Sequence, residues 1–383
     1  MSYSLSRNAR LFVSTSPTIT GMTDLNTWQI PILDGFSFTQ ETGTQEVVVS
    51  EAGVAPSRGQ QVFNTSIEPV SWNFTNYMRP RFADGNADAV ERILWEAIAA
   101  PPGGTISTVA NGLATSRGAP GDGMSVDFDE SNTNQLRTLS LVFDLGGVWY
   151  HIQDAVVDTA EIDFSIETIA TVAWSGFANR IVEVAGGDRT FLNGMTGTAL
   201  GAPPTGSNEY VIPPADVTCI RNKLTTVTLE DRANAETTYT LAITGGSLTI
   251  NNNITYLTPE ALGVVNQPCA HFTGARQISG NITAYLRSGA TNTAGLMNDL
   301  LSYVNQSAPQ TFDFNMYVGG TSVQRPVIHL DMPYTHLVIP TINIEDVVSV
   351  DIGFSALPYD TGASQHSLSE TNEITITYYP DET

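Results

Sequence analysis

Alternating polar and apolar residues run through most of the chain and predict β-strands. One ten-residue alternating pattern occurs twice, at 70–79 and 278–287, which lie 208 residues apart. Five of its ten positions are identical, and all five fall on one face because side chains alternate across a strand. The identical pairs are Ser71 and Ser279, Asn73 and Asn281, Thr75 and Thr283, Tyr77 and Tyr285, and Arg79 and Arg287. The repeat predicts an internally duplicated β protein whose copies share a polar surface.

Each copy of this strand is followed by a helical pattern. Apolar residues spaced i, i+3, i+4, i+7 predict helices over 86–99 and 292–304. Gly-Gly pairs at 146–147 and 319–320 lie between alternating runs, which is a hairpin signal. Further matches between the copies are 36–38 with 254–256, 166–172 with 344–350, and the Gly-Phe pair at 176–177 with that at 353–354. Each copy is therefore predicted to contain strands, one helix, a hairpin and a closing strand.

The predicted fold class is mainly β, of the β-sandwich or barrel type, in two tandem copies with one helix each. At 383 residues the chain is long enough for two domains, each with its own core. The predicted divisions are copy one at 1–179, a linker rich in Gly and Pro at 180–220, copy two at 221–356 and a C-terminal extension at 357–383. Copy one is longer because it has a larger hairpin at about 46–64 and a long loop at 101–135. Loops of that length are usually functional or disordered.

The charge of the chain is strongly acidic. Its net charge is −23, and Lys223 is the only lysine. The stretch 331–383 contains nine acids and no lysine or arginine. Direct binding of nucleic acid through phosphate neutralisation is therefore excluded, because it needs clustered cations. No apolar run reaches the ~18 residues that span a membrane, and 1–10 lacks the apolar core of a signal peptide. We therefore expect a protein that is made in the cytoplasm and does not insert into a membrane.

The sequence predicts no catalytic residue, no metal site and no cofactor. His329 and His336 are too far apart for a zinc motif and have no third ligand nearby. The acidic stretch 127–134 lacks the glycine and the final acid of a calcium loop. Nucleophile elbows, phosphate loops and dinucleotide fingerprints are missing. Cys219 and Cys269 are predicted to be reduced and structural. The residues shared by both copies follow a strand face, which suits contact with repeated neighbours better than catalysis.

The order of these elements resembles the tail tube protein of long-tailed bacteriophages, in the subgroup whose subunit is a fused duplicate. The resemblance implies two packed sheets and a helix per unit, and six units in a ring whose inner sheets form one barrel. With two units per chain it implies trimeric rings that stack into a hollow tube in the virion tail. It also implies contacts with the tape measure protein and with the tail terminator and distal tail proteins. DNA would pass through the lumen without specific binding.

An acidic strand face is predicted to line that lumen. A wall of carboxylates repels DNA at close range, because the screening length is about 8 Å at physiological salt. The alternating stretch 161–167 places its acids on one face, and 341–345 offers a polar face in copy two. The predicted lining residues are Glu161, Asp163, Glu167, Asn343 and Glu345. The alternative is a solvated outer face.

The shared polar strand face is predicted to contact neighbouring units. Its residues are Ser71, Asn73, Tyr77, Arg79, Ser279, Asn281, Tyr285 and Arg287. Arg79 and Arg287 are expected to pair with acids of the adjacent copy. The sequence leaves open a second possibility, in which this face also looks into the bore. The hairpin near 54–61 and the loop 101–135 are predicted to stack one ring on the next.

Other functions compete with this hypothesis. A tandem carbohydrate-binding or adhesin module on a virion or cell surface would also explain duplication and acidity, because linked modules gain avidity. The tube of a contractile tail or secretion system would share the fold and role, although its subunits normally hold a single copy. An enzyme with an unrecognised acid pair is the third alternative.

Overall fold

The protein is mainly β. The computed structural model describes residues 8–22, 26–51, 57–83, 86–99, 123–129, 134–186, 219–232, 237–260, 265–304, 310–321, 325–344, 346–358 and 372–380. The strands of the first half are β1 (Arg10–Ser14), β2 (Thr27–Ile30), β3 (Ser37–Thr39), β4 (Thr42–Glu51), β5 (Ser57–Ile67), β6 (Val70–Tyr77), β7 (Pro80–Ala83), β8 (Asn86–Ala89), β9 (Met124–Asp129), β10 (Leu139–Asp144), β11 (Trp149–Asp163), β12 (Thr171–Ala178) and β13 (Arg180–Glu183).

The second half of the chain also consists mostly of strands. Its strands are β14 (Thr226–Asp231), β15 (Thr238–Thr240), β16 (Ile243–Asn251), β17 (Thr255–Leu257), β18 (Ala270–Phe272), β19 (Gln277–Tyr285), β20 (Phe312–Val318), β21 (Val327–Leu337), β22 (Thr341–Asn343), β23 (Ser349–Ala356) and β24 (Asn372–Tyr379). Among the described residues, two segments form α-helices, α1 (Arg92–Ala99) and α2 (Thr293–Tyr303). Neither helix of the described ranges is long and apolar enough to cross a membrane.

Eight antiparallel strands from both halves form one sheet, which we call the main sheet. Its order is β3-β6-β12-β11-β16-β19-β23-β22. The central pair, β11 and β16, joins the first half of the chain to the second. Two further sheets pair in the orders β2-β1-β10-β11-β13 and β15-β14-β20-β21-β24-β9, and we call them the outer sheets. The long strand β11 belongs to an outer sheet at its start and to the main sheet at its end.

Strand pairs of the two halves share one register. Phe74 lies opposite Trp174 in the pair β6–β12, and Ile282 lies opposite Ile352 in the pair β19–β23. The same offsets of 208 and 178 residues relate all partners of these two pairs.

The shared register extends to an irregularity in the outer sheets. The pair β10–β11 shifts register between Leu139 and Leu141. The pair β20–β21 shifts between Phe312 and Phe314, which lie at the corresponding positions. A bulge bends a strand and increases its local twist. The two halves therefore turn from outer sheet to main sheet in the same way.

At one buried cross-strand pair, the large and the small residue lie on opposite strands in the two halves. Trp72 lies opposite Gly176, and Gly280 lies opposite Phe354. A Cβ atom at Gly176 would come within 2.7 Å of the Trp72 ring, and one at Gly280 within 2.5 Å of the Phe354 ring. Each half therefore fills this site with one aromatic ring and one glycine, contributed by opposite strands.

The observed registers correct two of the predicted matches and the start of a third. Gly176 corresponds to Phe354, so the match of 176–177 with 353–354 was wrong by one residue. The closing strands begin at Thr171 and Ser349, later than predicted. Ser37 and Ser247 occupy equivalent positions opposite Asn73 and Asn281, so β3 corresponds to β16 and not to 254–256. The Gly-Phe match relied on residue identity and ignored the strand faces: Gly176 is on the buried face and Gly353 on the polar face, as a slip of one residue requires.

The first helix is shorter than its apolar spacing predicted. It begins at Arg92, because Asn86–Ala89 pairs with Pro80–Ala83 as a hairpin. The second helix agrees with its predicted range to within one residue at each end. Apolar spacing does not determine where a helix begins, because residues predicted for its first turn can pair as a strand instead.

Buried apolar residues of both halves form one contiguous cluster, where two separate cores were expected. Part of the long loop predicted at 101–135 is responsible: β9 pairs with β24, so copy one completes an outer sheet of copy two. The indole N–H of Trp95 on α1 donates to the Tyr378 hydroxyl on β24 at 2.8 Å. Strands β13 and β24 lie in stretches predicted as linker and C-terminal extension. The rest of the long loop, 101–122 and 130–133, lies outside the described residues.

Gly176→Ala should lower the free energy of unfolding by about 1–3 kcal/mol, because the new methyl group would lie 2.0 Å from the Val156 backbone oxygen and 2.7 Å from the Trp72 ring. Gly353→Ala is the matched control on the equivalent strand. Its Cβ would meet no neighbour closer than 3.5 Å, which is ordinary contact. Urea denaturation of both variants tests the difference. Equal loss in the two variants would contradict the close packing of Trp72 on Gly176.

Glu91→Gln should remove a pH dependence of stability. Glu91 is fully buried before α1, and burial raises its pKa to about 7 from an ordinary value of 4.5. Because the folded-state pKa is the higher one, Glu91 stabilises the fold fully below pH 4.5 and loses this contribution as the pH rises through 7. The variant should exceed the parent by up to about 3 kcal/mol at pH 8.

Glu96→Gln is the matched control on the same helix. The Glu96 carboxylate bonds Arg92 and Arg137 at 2.9 and 2.7 Å, so its loss should lower stability at pH 8. Urea midpoints between pH 5 and 8 measure both variants. A pH slope in Glu91→Gln equal to that of the parent would contradict the assignment, since Asp331, whose pKa burial raises to about 6, contributes to the slope in both proteins.

Candidate functional site

One face of the main sheet packs on the core, and the opposite face is polar. Along β6 and β12 every second side chain is buried, and the residues between them are exposed or half-buried. We call this second face the polar face; its hydroxyl, amide and carboxyl residues are Ser37, Thr39, Ser71, Asn73, Thr75, Tyr77, Thr159, Glu161, Asp163, Thr171, Ser175, Ser247, Thr249, Asn251, Gln277, Ser279, Asn281, Thr283, Tyr285, Thr341, Asn343, Ser349, Asp351 and Ser355. It carries no lysine or arginine within the described strands.

The structure brings the two predicted surfaces together on this face. Residues proposed for the lumen, such as Glu161 and Asn343, lie on the same face as those proposed for subunit contact, such as Asn73 and Asn281. The sequence could not show this because β11 and β6 are neighbours of β12 only in the folded sheet. The polar face is therefore one surface that crosses both halves.

The acids of the polar face are held in different ways. Asp163 accepts hydrogen bonds from the Ser165 backbone N–H and hydroxyl at 2.9 and 2.8 Å. Asp351 accepts one from the Thr283 hydroxyl at 2.6 Å and another from the Asn343 amide. Glu161 is exposed. The face is thus mostly uncharged, with a few fixed carboxylates.

One predicted lining residue, Glu167, does not lie on the polar face. Glu167 lies in the turn between β11 and β12, because β11 ends at Asp163. The predicted alternation through 161–167 was wrong beyond that point, as Ile166 is 39% exposed and not buried. Glu345 lies outside the described residues.

The two shared arginines follow their strands directly. The Arg79 guanidinium lies over the Tyr77 ring, 5.4 Å from its centroid. Arg287 is exposed after Tyr285. Their pairing with acids of an adjacent copy stays a prediction.

The two end strands of the main sheet have free edges among the described residues, since β3 pairs only with β6 and β22 only with β23. The apolar face of β22 is open: Ile342 is 42% and Ile344 83% exposed. The corresponding residues of the first half, Ile162 and Phe164, are 0% and 2% exposed. Sequence reasoning missed this edge, although a correct alignment of 161–164 with 341–344 would have shown apolar residues with no cover.

A long hairpin of β4 and β5 stands away from these sheets. It spans Thr42–Glu51 and Ser57–Ile67, longer than predicted, and 52–56 lies outside the described residues. Val48 is 72% and Phe63 52% exposed. Isolated two-stranded hairpins are marginal in water, and exposed apolar residues mark contact surfaces. The hairpin therefore has the properties of a docking element.

The described residues give little support for catalytic chemistry. The described residues hold no group of three metal-ligating side chains. Burial lowers the pKa of His329 to about 4, so this histidine is neutral at physiological pH. Cys219 is a half-buried free thiol and Cys269 an exposed one.

Comparison with known proteins identifies the family. The family described as phage tail tube protein matches residues 95–356. The tail tube protein pb6 of Escherichia phage T5 is 31% identical over 369 residues, which cover 95% of this chain and 74% of that protein. These matches support a structural role in the virion tail. The chain belongs to the phage tail tube proteins.

Proposed function

We propose that three copies of this chain close into a ring whose main sheets join edge to edge, and that stacked rings form a tube which conducts DNA into the host. The observation that carries this proposal is the pairing of β11 with β16 inside the chain. In this pairing one half of the chain is joined to the other. The two end strands of the main sheet, β22 and β3, correspond to β11 and β16 and could pair in the same way between chains.

The register of the β11–β16 pairing, which we call the internal joint, predicts the register of the pairing between β22 and β3 of adjacent chains, which we call the external joint. Within the chain Glu161 lies opposite Thr249 and Asp163 opposite Ser247. Since β22 corresponds to the end of β11 and β3 to β16, the same joint between chains places Thr341 opposite Thr39. It also places Asn343 opposite Ser37 of the neighbour. The polar face then continues without a break from one chain to the next.

The same joint would cover the open apolar residues of β22. Inside the chain, Phe164 fills the space above Gly246, where a Cβ atom would lie 2.6 Å from the ring. The corresponding residues at the external joint are Ile344 and Phe36. A smaller side chain thus meets a larger one, as at the exchanged glycine sites. Burial of an aliphatic side chain contributes about 1.5–3 kcal/mol, so covering Ile344 favours closure.

Ring closure also removes the free edges. Unpaired strand edges are sites of uncontrolled association, and a closed barrel has none. A joint between β22 and β3 is head-to-tail, and such contacts form rings when the rotation closes. Three chains with two equivalent units each would give the pseudo-sixfold ring that the family resemblance implies.

A cross-link tests the register. In a chain with Cys219→Ser and Cys269→Ser, the pair Thr39→Cys and Thr341→Cys should oxidise to disulfide-linked trimers. Directly opposed strand residues have Cα atoms about 4.5–5.5 Å apart, within disulfide range. Non-reducing electrophoresis of assembled protein measures the product.

The control pair keeps Thr341→Cys and moves the partner to Phe38→Cys, whose side chain points to the opposite face. It should link poorly. Equal linking of both pairs, or products that stop at dimers, would contradict the proposed joint.

The polar face would line the lumen of this ring. The outer sheets and α1 pack on the apolar face of the main sheet, so only the polar face is free to point toward the axis. Its carboxylates and lack of cations in the described strands would keep DNA from adhering. Ser71, Asn73, Ser279 and Asn281 would then face the bore, which is one of the two positions that the sequence left open.

The hairpin of β4 and β5 would reach the next ring. Its exposed Val48 and Phe63 would be covered there. During assembly the lumen would enclose the tape measure protein, and the tube ends would meet the terminator and distal tail proteins.

Glu161→Lys tests the lumen assignment. The variant should still assemble, because Glu161 is exposed and forms no ion pair with a described cation. It should slow DNA release from triggered virions, since cations in the bore attract phosphates. Glu183→Lys is the control, with the same charge change at an exposed position on an outer sheet. Release at the parental rate in Glu161→Lys, or equal slowing in both variants, would place the polar face elsewhere.

A further inference from the structure

The two ends of the main sheet differ in their charges. We call one end the turn end; there lie Tyr77, Tyr285 and the β11–β12 turn. We call the other the hairpin end; there lie Val70 and Ala178, and the β4–β5 hairpin leaves the sheet beside them.

Most of the cations that form no close ion pair with a described carboxylate lie at the turn end. Six arginines form ion pairs within the chain: Arg10, Arg81, Arg92, Arg137, Arg232 and Arg276. Five other cations form none with a described carboxylate: Arg79, Arg180, Arg221, Lys223 and Arg287. Four of these five lie at the turn end, and only Arg180 does not. This concentration is unexpected in a chain of net charge −23.

The turn-end cations are fixed in place by the fold. Arg221 and Lys223 flank Asn222, which is 3% exposed. The Asn222 amide donates to the Thr168 hydroxyl at 3.0 Å, and Arg221 forms an isolated bridge with Ile169. The segment is therefore held against the β11–β12 turn. Arg79 and Arg287 are held by the strands that they follow.

The hairpin end presents acids. Its exposed carboxylates that form no ion pair with a described cation are Glu41, Glu46, Glu68 and Glu260. The turn end is mixed, since Asp34, Glu167 and Asp346 are also exposed there. The cations of one end thus match the glutamates of the other.

We propose that the turn end of one ring docks on the hairpin end of the next ring, with Arg79, Arg221, Lys223 and Arg287 facing its glutamates. The inference rests on the proposed tube and adds the polarity of stacking. Subunits of high like charge repel each other, so close stacking needs local opposite charges. A ring docked the other way would set glutamates against glutamates. Each exposed pair contributes little, but the contacts repeat around the ring.

Charge reversal tests the docking surface. The variant Lys223→Glu/Arg287→Glu should still form trimers, because the β22–β3 joint is untouched, but it should lose stacked tubes. Arg180→Glu is the matched control, an exposed cation at the hairpin end, and should stack as the parent does. Adding Glu41→Lys/Glu68→Lys to the first variant should restore tubes. Light scattering measures trimers, and negative-stain microscopy measures tube length.

The outcomes separate this inference from the proposed function. Parental tubes in Lys223→Glu/Arg287→Glu, or equal loss in Arg180→Glu, would overturn it. Failure of the reciprocal reversal to restore tubes would overturn the pairing with the hairpin-end glutamates. A parent chain that forms no trimer would instead refute the ring itself.

Discussion

Backbone pairing between β11 and β16 is the interaction on which the rest of the structure depends. It turns two similar halves into one sheet with one polar face and one core face. Because the halves share registers down to a bulge, the joint between them also defines what the outer edges, β3 and β22, can accept. At corresponding positions, Ile344 beside β22 is 83% exposed, whereas Phe164, which packs over Gly246 of β16, is 2% exposed.

The halves are similar but not interchangeable. Strand β9 and the Trp95–Tyr378 hydrogen bond clamp copy one to copy two, and copy two has no matching insertion to clamp the next chain. Joints inside the chain are therefore expected to be stronger than joints between chains. A ring built in this way has threefold symmetry in its energetics, even where its polar face approaches sixfold symmetry in shape.

The fold class and the polar face could be predicted from the sequence. The repeated strand face from Ser71 to Tyr77 predicted the mainly β fold and the polar surface, because period-two alternation is read directly from residue types. The order of the elements supplied the family resemblance. The register that relates the two halves could not be predicted, because Gly176 and Phe354 occupy corresponding positions although they differ greatly in size. The turn at Ser165 was also missed, because its Asp163 cap is a local hydrogen bond that interrupts an otherwise regular alternation.

Hydrogen exchange at the two free edges tests the central claim most directly. In single chains the outward amides of β3 and β22 should exchange freely, while those of β11 and β16 are protected. In assembled tubes the account predicts that β3 and β22 become as protected as β11 and β16. Edges that still exchange freely in tubes would show that the main sheet stops at the chain boundary, and would contradict the account.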